Sequence, residues 1–544
     1  MLNGLIEKLR FDEADPRFEL LENERGEPRA FGGFPGAKKA RRAGSLKGRK
    51  AKAPQTRLFE GISRSADKNE RCFRALFNAE VNPDVVFRRF ETAFGGRALI
   101  IYMTGMADSN TISEFVLKPL MNAKARDSIG RPDLFSAVNG LVQLGEAELV
   151  SSTKEIERAI LEGRSALFFD GERKAALLET RGFEKRSVST AENERIVRGP
   201  QEGFTESMRT NITLVRRIVR TADLAASFRD AGGRNGTKLA LLYRRGYTNE
   251  TLIREIEHRL DMIDAQLVSG TGVIEQLIED APLSPLPQTL ATERPDRVAS
   301  FLMNGAAAII AEGSPYAIVM PATAAALLSS PEDSYMRRPL GSIMRIVRYL
   351  GVFLSLLLPG YFVAVAMYHQ GLLSTEVLST IVKSRQMVFE PLPFEMILLL
   401  FVFQLIREAG MRVPGSVGQA IGVIGGLILG QAAVSANLAS TVILIVVALS
   451  GLGNLCIPDY STQIAASYFR LGFVIAAWMG GLLGLTSALL LFFAYMANLK
   501  SFGVPFLSPI APKTIKTRGI ILRGALKRGG RGDDYLNSSA DAGR

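Results

Sequence analysis

The stretch Ile397–Gly426, ILLLFVFQLIREAGMRVPGSVGQAIGVIGG, opens and closes in residues suited to lipid. Its centre carries Arg407, Glu408 and Arg412, followed by Pro414 and Gly415. A charge at the middle of a bilayer costs roughly 3 kcal/mol on insertion scales. Three readings compete: a loop between two spans, a broken helix lining a wet path, and a soluble core helix. The flanks exclude the third. Residues 349–375 and 471–499 contain no Asp, Glu, Lys or Arg, and between 413 and 469 the only charge is Asp459. Uncharged runs of that length can cross a hydrocarbon core of about 30 Å. The stretch therefore reads as a short membrane helix, a charged break at Arg407–Arg412, and a Pro-Gly start to a closely packed span.

Outward from this stretch, the chain of 544 residues divides in two. Residues 1–340 are charged throughout, so an α/β soluble N-terminal half precedes a C-terminal α-helical membrane bundle. The opening MLNGLIEKLRFDEADPRF has no apolar core of the kind a cleavable signal peptide needs. Cys72 and Cys456 stand far apart and read as small buried hydrophobes, and His258 and His369 are the only histidines. No metal-ligand spacing, Gly-rich phosphate loop or nucleophile set is present. GGRNGTK (232–238) lacks the Walker spacing and precedes a strand. Neither a metal, a cofactor nor an enzymatic activity is expected. The net charge is +12, and residues 36–57 hold nine Lys/Arg without an acid. Such a segment reads as a solvated tail attracted to anionic lipid. It has no interleaved aromatics for stacking on bases, so no nucleic-acid partner is expected.

The soluble half repeats itself. GGRALIIYMTGMADSNTISEFVLKPL (95–120) resembles GTKLALLYRRGYTNETLIREIEHRL (236–260), and EIERAILEGRSALFFDGERKAALLETRG (155–182) resembles DRVASFLMNGAAAIIAEGSPYAIVMPAT (296–323). The first pair predicts a strand, a Gly turn (Gly105, Gly246) and an amphipathic helix. The second predicts a helix stopped by Gly163 or Gly305, then a hairpin turning at Asp170-Gly171 or Glu312-Gly313. Two related α/β subdomains follow, 66–197 and, with a linker helix, 198–330. Arg198, Arg209, Arg216, Arg217 and Arg220 give that linker and helix a positive face, read as joining the two copies or as an anion site.

The transmembrane helical domain is placed at 331–511, between a basic extension (1–65) and a basic tail (512–544). Arg337, Arg338, Arg345 and Arg348 lead into the first apolar run, and Lys513, Lys516, Arg518, Arg523, Lys527, Arg528 and Arg531 follow the last. The positive-inside rule puts both ends in the cytoplasm and requires an even number of crossings. Spans are expected near 346–368, 416–434, 438–457 and 466–496, with 393–407 as a short extra piece. A six-crossing version splits the last run. An amphipathic surface helix is expected between His369 and Pro391. Gly418, Gly422, Gly426 and Gly430 have the small-xxx-small spacing for close helix packing or subunit contact.

With these pieces in order the chain resembles the A-subunit family of spore germinant receptors, the GerA type. The likeness rests on RGPQEGFTESMRTNITLVRR (198–217), ERPDRVASFLMNGAAAIIAEGSPYAIVMP (293–321), SPEDSYMRR (330–338), IREAGMRVPGSVGQAIGVIGGLILGQAAV (406–434) and SFGVPFLSP (501–509), within roughly 70–510. It implies a homo-oligomeric protein of the spore inner membrane with a cytoplasmic soluble half. Its implied partners are a transporter-like B subunit that binds nutrient and a lipoprotein C subunit. It also implies an ion-conducting pore that releases cations when nutrient is sensed. Stage V sporulation protein AF, a close paralogue group thought to amplify ion release, shares this plan, and the motifs do not separate the two. Glu395, Gln404, Arg407 and Glu408 are the candidates for the ion path or its gate; the alternative for each is an interfacial ion pair or loop charge. A secondary transporter or a non-conducting scaffold is the competing class of function.

Overall fold

The structure, a computed structural model, describes residues 61–122, 134–182, 191, 193–232, 236–265, 267–412, 428, 430–512 and 536. The basic stretch 36–57 and the basic residues after Pro512 lie outside them. So do Gly418, Gly422 and Gly426.

The soluble half contains two five-stranded antiparallel sheets. The first is built from β1 (Val85–Glu91), β2 (Arg97–Met103), β3 (Ala147–Val150), β4 (Ser165–Phe169) and β5 (Ala175–Leu178), in the order β1-β2-β4-β5-β3. The second uses β6 (Leu224–Ala231), β7 (Thr237–Arg244), β8 (Leu290–Thr292), β9 (Ala307–Ala311) and β10 (Ala317–Met320), in the order β6-β7-β9-β10-β8. One connectivity used twice is the duplication seen in the sequence. Strands β4, β5, β9 and β10 are buried at every position, because apolar clusters cover both faces. In the first sheet Leu99 and Ile101 join one cluster and Ile100 the other, as a period of two demands.

The repeat begins earlier than the sequence comparison placed it. Helix α1 (Ala66–Leu76) leads into the first sheet. Within it Asn69 accepts from the backbone N–H of Ser63 and donates to the same residue's carbonyl, both at 2.8 Å. In α2 (Met208–Ile218), Asn211 does the same with Thr205. The hairpin turns close on these helix starts in both copies. Gly171 N–H donates to the Arg64 carbonyl, and Gly313 N–H to that of Glu206. Asp170 accepts from the N–H of Ala66 and Glu312 from that of Met208. Gly171 and Gly313 have φ of 103° and 79°, where a side chain would be strained.

Of the five linker arginines, Arg216 joins the copies. It is 3% exposed, and its guanidinium meets Asp84 at 2.6 Å, with further bonds to Asn82 and to the Leu224 carbonyl. Asn82 in turn accepts from Ala226 N–H, so the first unit is stitched to the first strand of the second. Arg217 pairs with Glu202 at the surface.

The helical half starts with α3 (Arg338–Tyr368). It continues with α4 (Thr375–Arg385), the expected surface helix, then α5 (Leu392–Arg412), α6 (Thr441–Leu455) and α7 (Tyr460–Asn498). Two of these, α3 and α7, are long and apolar enough to cross a membrane. Helix α7 is not one rod. Gly480 (φ −139°, ψ 16°) and Gly481 (φ 58°, ψ −139°) leave the helical region, and Gly481 takes a conformation open chiefly to glycine. Beyond them the chain doubles back: Phe492 packs on Phe469 with ring centroids 4.7 Å apart and on Phe473 at 5.7 Å. The last apolar run is therefore two antiparallel arms, 460–479 and 482–498, each about 25–30 Å long at 1.5 Å per residue. Two further expectations are corrected. The short piece 393–407 extends to Arg412, and no break occurs at Arg407, because Leu405-Ile406-Arg407-Glu408-Ala409 are competent helix formers.

Among the described residues, close packing in the bundle falls on Gly351 and Gly360. A Cβ on Gly351 would stand 2.9 Å from that of Cys456, and one on Gly360 would stand 3.0 Å from the Phe473 carbonyl oxygen. Gly430 has ordinary contact with Leu444 at 3.5 Å.

Removing one partner of a buried, hydrogen-bonded ion pair leaves an uncompensated charge. Arg216→Ala is expected to destabilise the full chain by about 3–5 kcal/mol in thermal or denaturant unfolding. Arg217→Ala, at a half-exposed pair, should cost about 1 kcal/mol or less.

Candidate functional site

The charged residues of α5 sit at two levels of the bundle. Near its start Glu395 is fully buried. One carboxylate oxygen accepts from Arg385 Nε of α4 at 3.2 Å, and the other from the backbone N–H of Ser440 at 2.5 Å. Ser440 caps α6 through Ile443 N–H. Glu395 thus fastens α4 and the head of α6 to α5, with its charge met at a helix N-terminus.

Gln404, Arg407 and Glu408 lie two to four turns further along, about 14–20 Å from Glu395 at helical rise. The structure therefore does not bring the four predicted residues into one site. Phe403 rests its ring against Gly451 of α6. One turn on, the three guanidinium nitrogens of Arg407 are buried and have no hydrogen-bond partner, and neither has the amide oxygen of Gln404. Glu408 is half-buried with contacts of its own.

Beside this face runs a polar seam. Arg470, on the first arm of α7, is 2% exposed and donates from Nη1 to Ser450 Oγ at 3.1 Å. Ser450 donates to the Ser355 carbonyl, Ser355 to Asn454 Oδ1, and Asn454 to Ser467 Oγ. The seam links α3, α6 and α7 in an otherwise apolar interior. Arg470 and Arg407 are close enough for their like charges to act on one another. Sequence reasoning passed over Arg470, although it is the lone charge between the two uncharged runs 460–469 and 471–499.

Both ends of the bundle are fixed to the second soluble unit. At the start, Arg348 donates to the Leu328 carbonyl of that unit at 3.1 Å, and Asp333, 1% exposed just after the unit, binds Arg348 through both oxygens at 2.8 and 2.9 Å and Arg345 at 3.1 Å. At the end, a hairpin of β11 (Lys500–Ser501) and β12 (Val504–Pro505) follows α7. Its Phe502, Val504 and Phe506 join the core of the second sheet. Arg259 lies over the Phe502 ring at 4.3 Å, Asp280 accepts from Phe502 N–H at 2.6 Å, and Ser501 Oγ donates to the Gln288 carbonyl. The opposite end of the bundle is the Gly480–Gly481 turn, against which Tyr368 packs while donating to the Trp478 carbonyl.

At this junction burial pushes the Glu279 carboxyl up to about 7. The N–H of Gln288 opposes the rise, and the nearby Glu275 and Asp280 charges add to it. Glu275 and Asp280 are raised as well, burial being the largest cause in each. Among the described residues no three His, Cys, Asp or Glu side chains are grouped to hold a metal ion.

A duplicated α/β soluble half carried on an apolar, membrane-associated helical bundle defines the class of this protein. The chain belongs to the family described as Bacillus/Clostridium GerA spore germination protein, which it matches over residues 72–530. It is 34% identical over 413 residues to spore germination protein KA of Bacillus subtilis (strain 168), covering 76% of each chain. It is 34% identical over 433 residues to spore germination protein B1 of the same organism, covering 79% of this chain and 88% of that one. It also matches the crystal structure of the N-terminal domain of the A subunit of the Bacillus megaterium spore germinant receptor GerK3. There the identity is 27% and the TM-score 0.39, over 48% of this chain and 96% of that one.

A carboxyl raised on folding keeps its proton in the folded state where the unfolded chain has lost it. Its stabilising contribution is therefore complete below the unfolded value of 4.5 and is lost as pH rises through about 7. Unfolding of the full chain should show a decline on the order of 3 kcal/mol across that window. Glu279→Gln, which keeps the acceptor for Gln288 N–H, should remove that share and leave only the decline due to the other raised carboxyls, Glu275 and Asp280 among them.

Proposed function

We propose that this chain is the A subunit of a nutrient-germinant receptor in the spore inner membrane. It works as an oligomer beside a transporter-like B subunit and a lipoprotein C subunit, and it forms or gates a channel that releases cations at the start of germination. The observation that carries this reading is the buried polar seam with the charged face of α5 beside it, inside an apolar bundle whose two ends are held by one soluble unit. Polar and charged groups at membrane depth are costly and mark pathways or gates. A bundle clamped at both ends transmits a movement of the soluble unit, or of a partner bound to it, to its helices.

In this reading the soluble units 66–197 and 198–330 are cytoplasmic, as the basic lead-in Arg337–Arg348 favours. The helices of 331–511 cross the membrane six times, the Gly-rich 415–436 run supplying one crossing and the two arms of α7 one each. The segments 1–65 and 512–544 are basic flanks. Gln404, Arg407 and Glu408 border the path, while Glu395 holds the far end of α5 and α6 in register.

Ion flux from liposomes carrying the full chain, alone and with the B and C subunits, tests this reading. Nutrient-dependent cation release is expected, and it should change roughly tenfold in Glu408→Gln, the size of about 1.4 kcal/mol at a barrier. Solute uptake coupled to an ion would point instead to a transporter. Absence of flux in every combination would contradict the channel and leave a scaffold.

A further inference from the structure

The guanidinium of Arg407 is buried within the bundle with all three nitrogens unpartnered. A guanidinium cannot shed its charge at any physiological pH, so burial must be compensated by an acceptor. Arg470 compounds the problem: it is 2% exposed, its hydrogen-bond partner among the described residues is one neutral hydroxyl, and its Nε is also unpartnered. Helix α5 packs Phe403 on Gly451 of α6, the next residue to Ser450, to which Arg470 of α7 donates, and across this junction the like charges of Arg407 and Arg470 act on one another.

The helical half has no spare carboxylate to place there. Between 338 and 498 the acids are Glu376, Glu390, Glu395, Glu408 and Asp459. Glu395 is taken by Arg385 and Ser440, and Asp459 caps Thr462. Glu376 and Glu390 belong to α4 and the connection after it, at the other level of the bundle. Glu408 follows Arg407 directly, and consecutive helical residues point about 100° apart. It makes no bond to the Arg407 nitrogens. The stretch 413–429 contains no acid at all.

We propose that Arg407 and Arg470 form a binding site for a small monovalent anion between α5, α6 and the first arm of α7. Ser450 orients Arg470, and the Gln404 amide, turned to present its N–H groups, adds a donor. The anion satisfies the open guanidinium donors and screens the repulsion between the two cations. It thereby stabilises the packing of three helices that no protein carboxylate holds at this level. The site does not depend on whether the bundle conducts ions.

The test uses the purified full chain in a neutral detergent, unfolded by heat at constant sodium concentration while chloride replaces gluconate, an anion too bulky for the site. The unfolding midpoint should rise with chloride by roughly 2–4 °C at saturation. Arg407→Gln should abolish that dependence and melt higher than the native chain in gluconate, because it removes an unpaired buried charge without removing any hydrogen bond. Arg470→Lys, which keeps the charge and a donor to Ser450, should retain the dependence with weakened apparent affinity. A native chain indifferent to the anion, or a chloride dependence that persists unchanged in Arg407→Gln, would overturn the proposal.

Discussion

Arg259, fully buried, joins the soluble half to the end of the helical half. Its guanidinium pairs with Glu255 at 2.8 Å and Asp280 at 2.5 Å, donates to the Ile278 carbonyl at 2.7 Å, and lies over the ring of Phe502. A buried ion pair is tolerated only when its remaining donors and acceptors are met, and here the Ile278 carbonyl and the hairpin after α7 share that task. The other oxygen of Asp280 takes the Phe502 N–H. The consequence is topological. The chain leaves the second unit through α3, where Arg348 is held by the Leu328 carbonyl of that unit and by Asp333, and returns to that unit's core through Phe502. Any arrangement of helices between these points must start and finish on one side.

Charge is handled differently at each level of this architecture. In the soluble half, buried arginines such as Arg216 and Arg259 have carboxylates within 2.6 Å. At the start of α5 the buried Glu395 has a guanidinium and a helix N-terminus. At the level of Arg407 and Arg470 no carboxylate among the described residues bonds either guanidinium. That contrast sets this level apart among the described residues, where the buried Arg216, Arg259, Arg294 and Arg297 each have a carboxylate. A helix contact with the charges of Arg407 and Arg470 on one side of it is a natural place for a bundle to have two arrangements of similar free energy.

The duplication was legible because its punctuation is chemical. Acid-Gly turns, Gly helix stops and β-branched strands recur at matching intervals, and the two sheets reproduce them strand for strand. The earlier start of the repeat was missed because Asn69 and Asn211 act through backbone bonds that composition does not display. In the helical half, hydropathy identified the apolar runs but not their turns. Gly480-Gly481 is as apolar as its neighbours, so a reversal there leaves no trace in charge or hydropathy. The charged residues after Ile406 suggested a break, yet they are good helix formers and α5 runs through them. SFGVPFLSP served as a marker of kinship; that it plugs the core of the second sheet depends on long-range packing that its own residues do not specify.

The central claim is that both ends of the bundle are held on one side by the second soluble unit, with the Gly480–Gly481 turn on the other. Labelling by a membrane-impermeant thiol reagent tests it most directly. Full-length protein with Cys72 and Cys456 replaced would carry single cysteines at the exposed Leu283, beside the docked hairpin, or at the exposed Leu372, beyond the end of α3. In sealed liposomes of uniform orientation the two positions should react from opposite sides. Labelling of both from the same side would contradict the account.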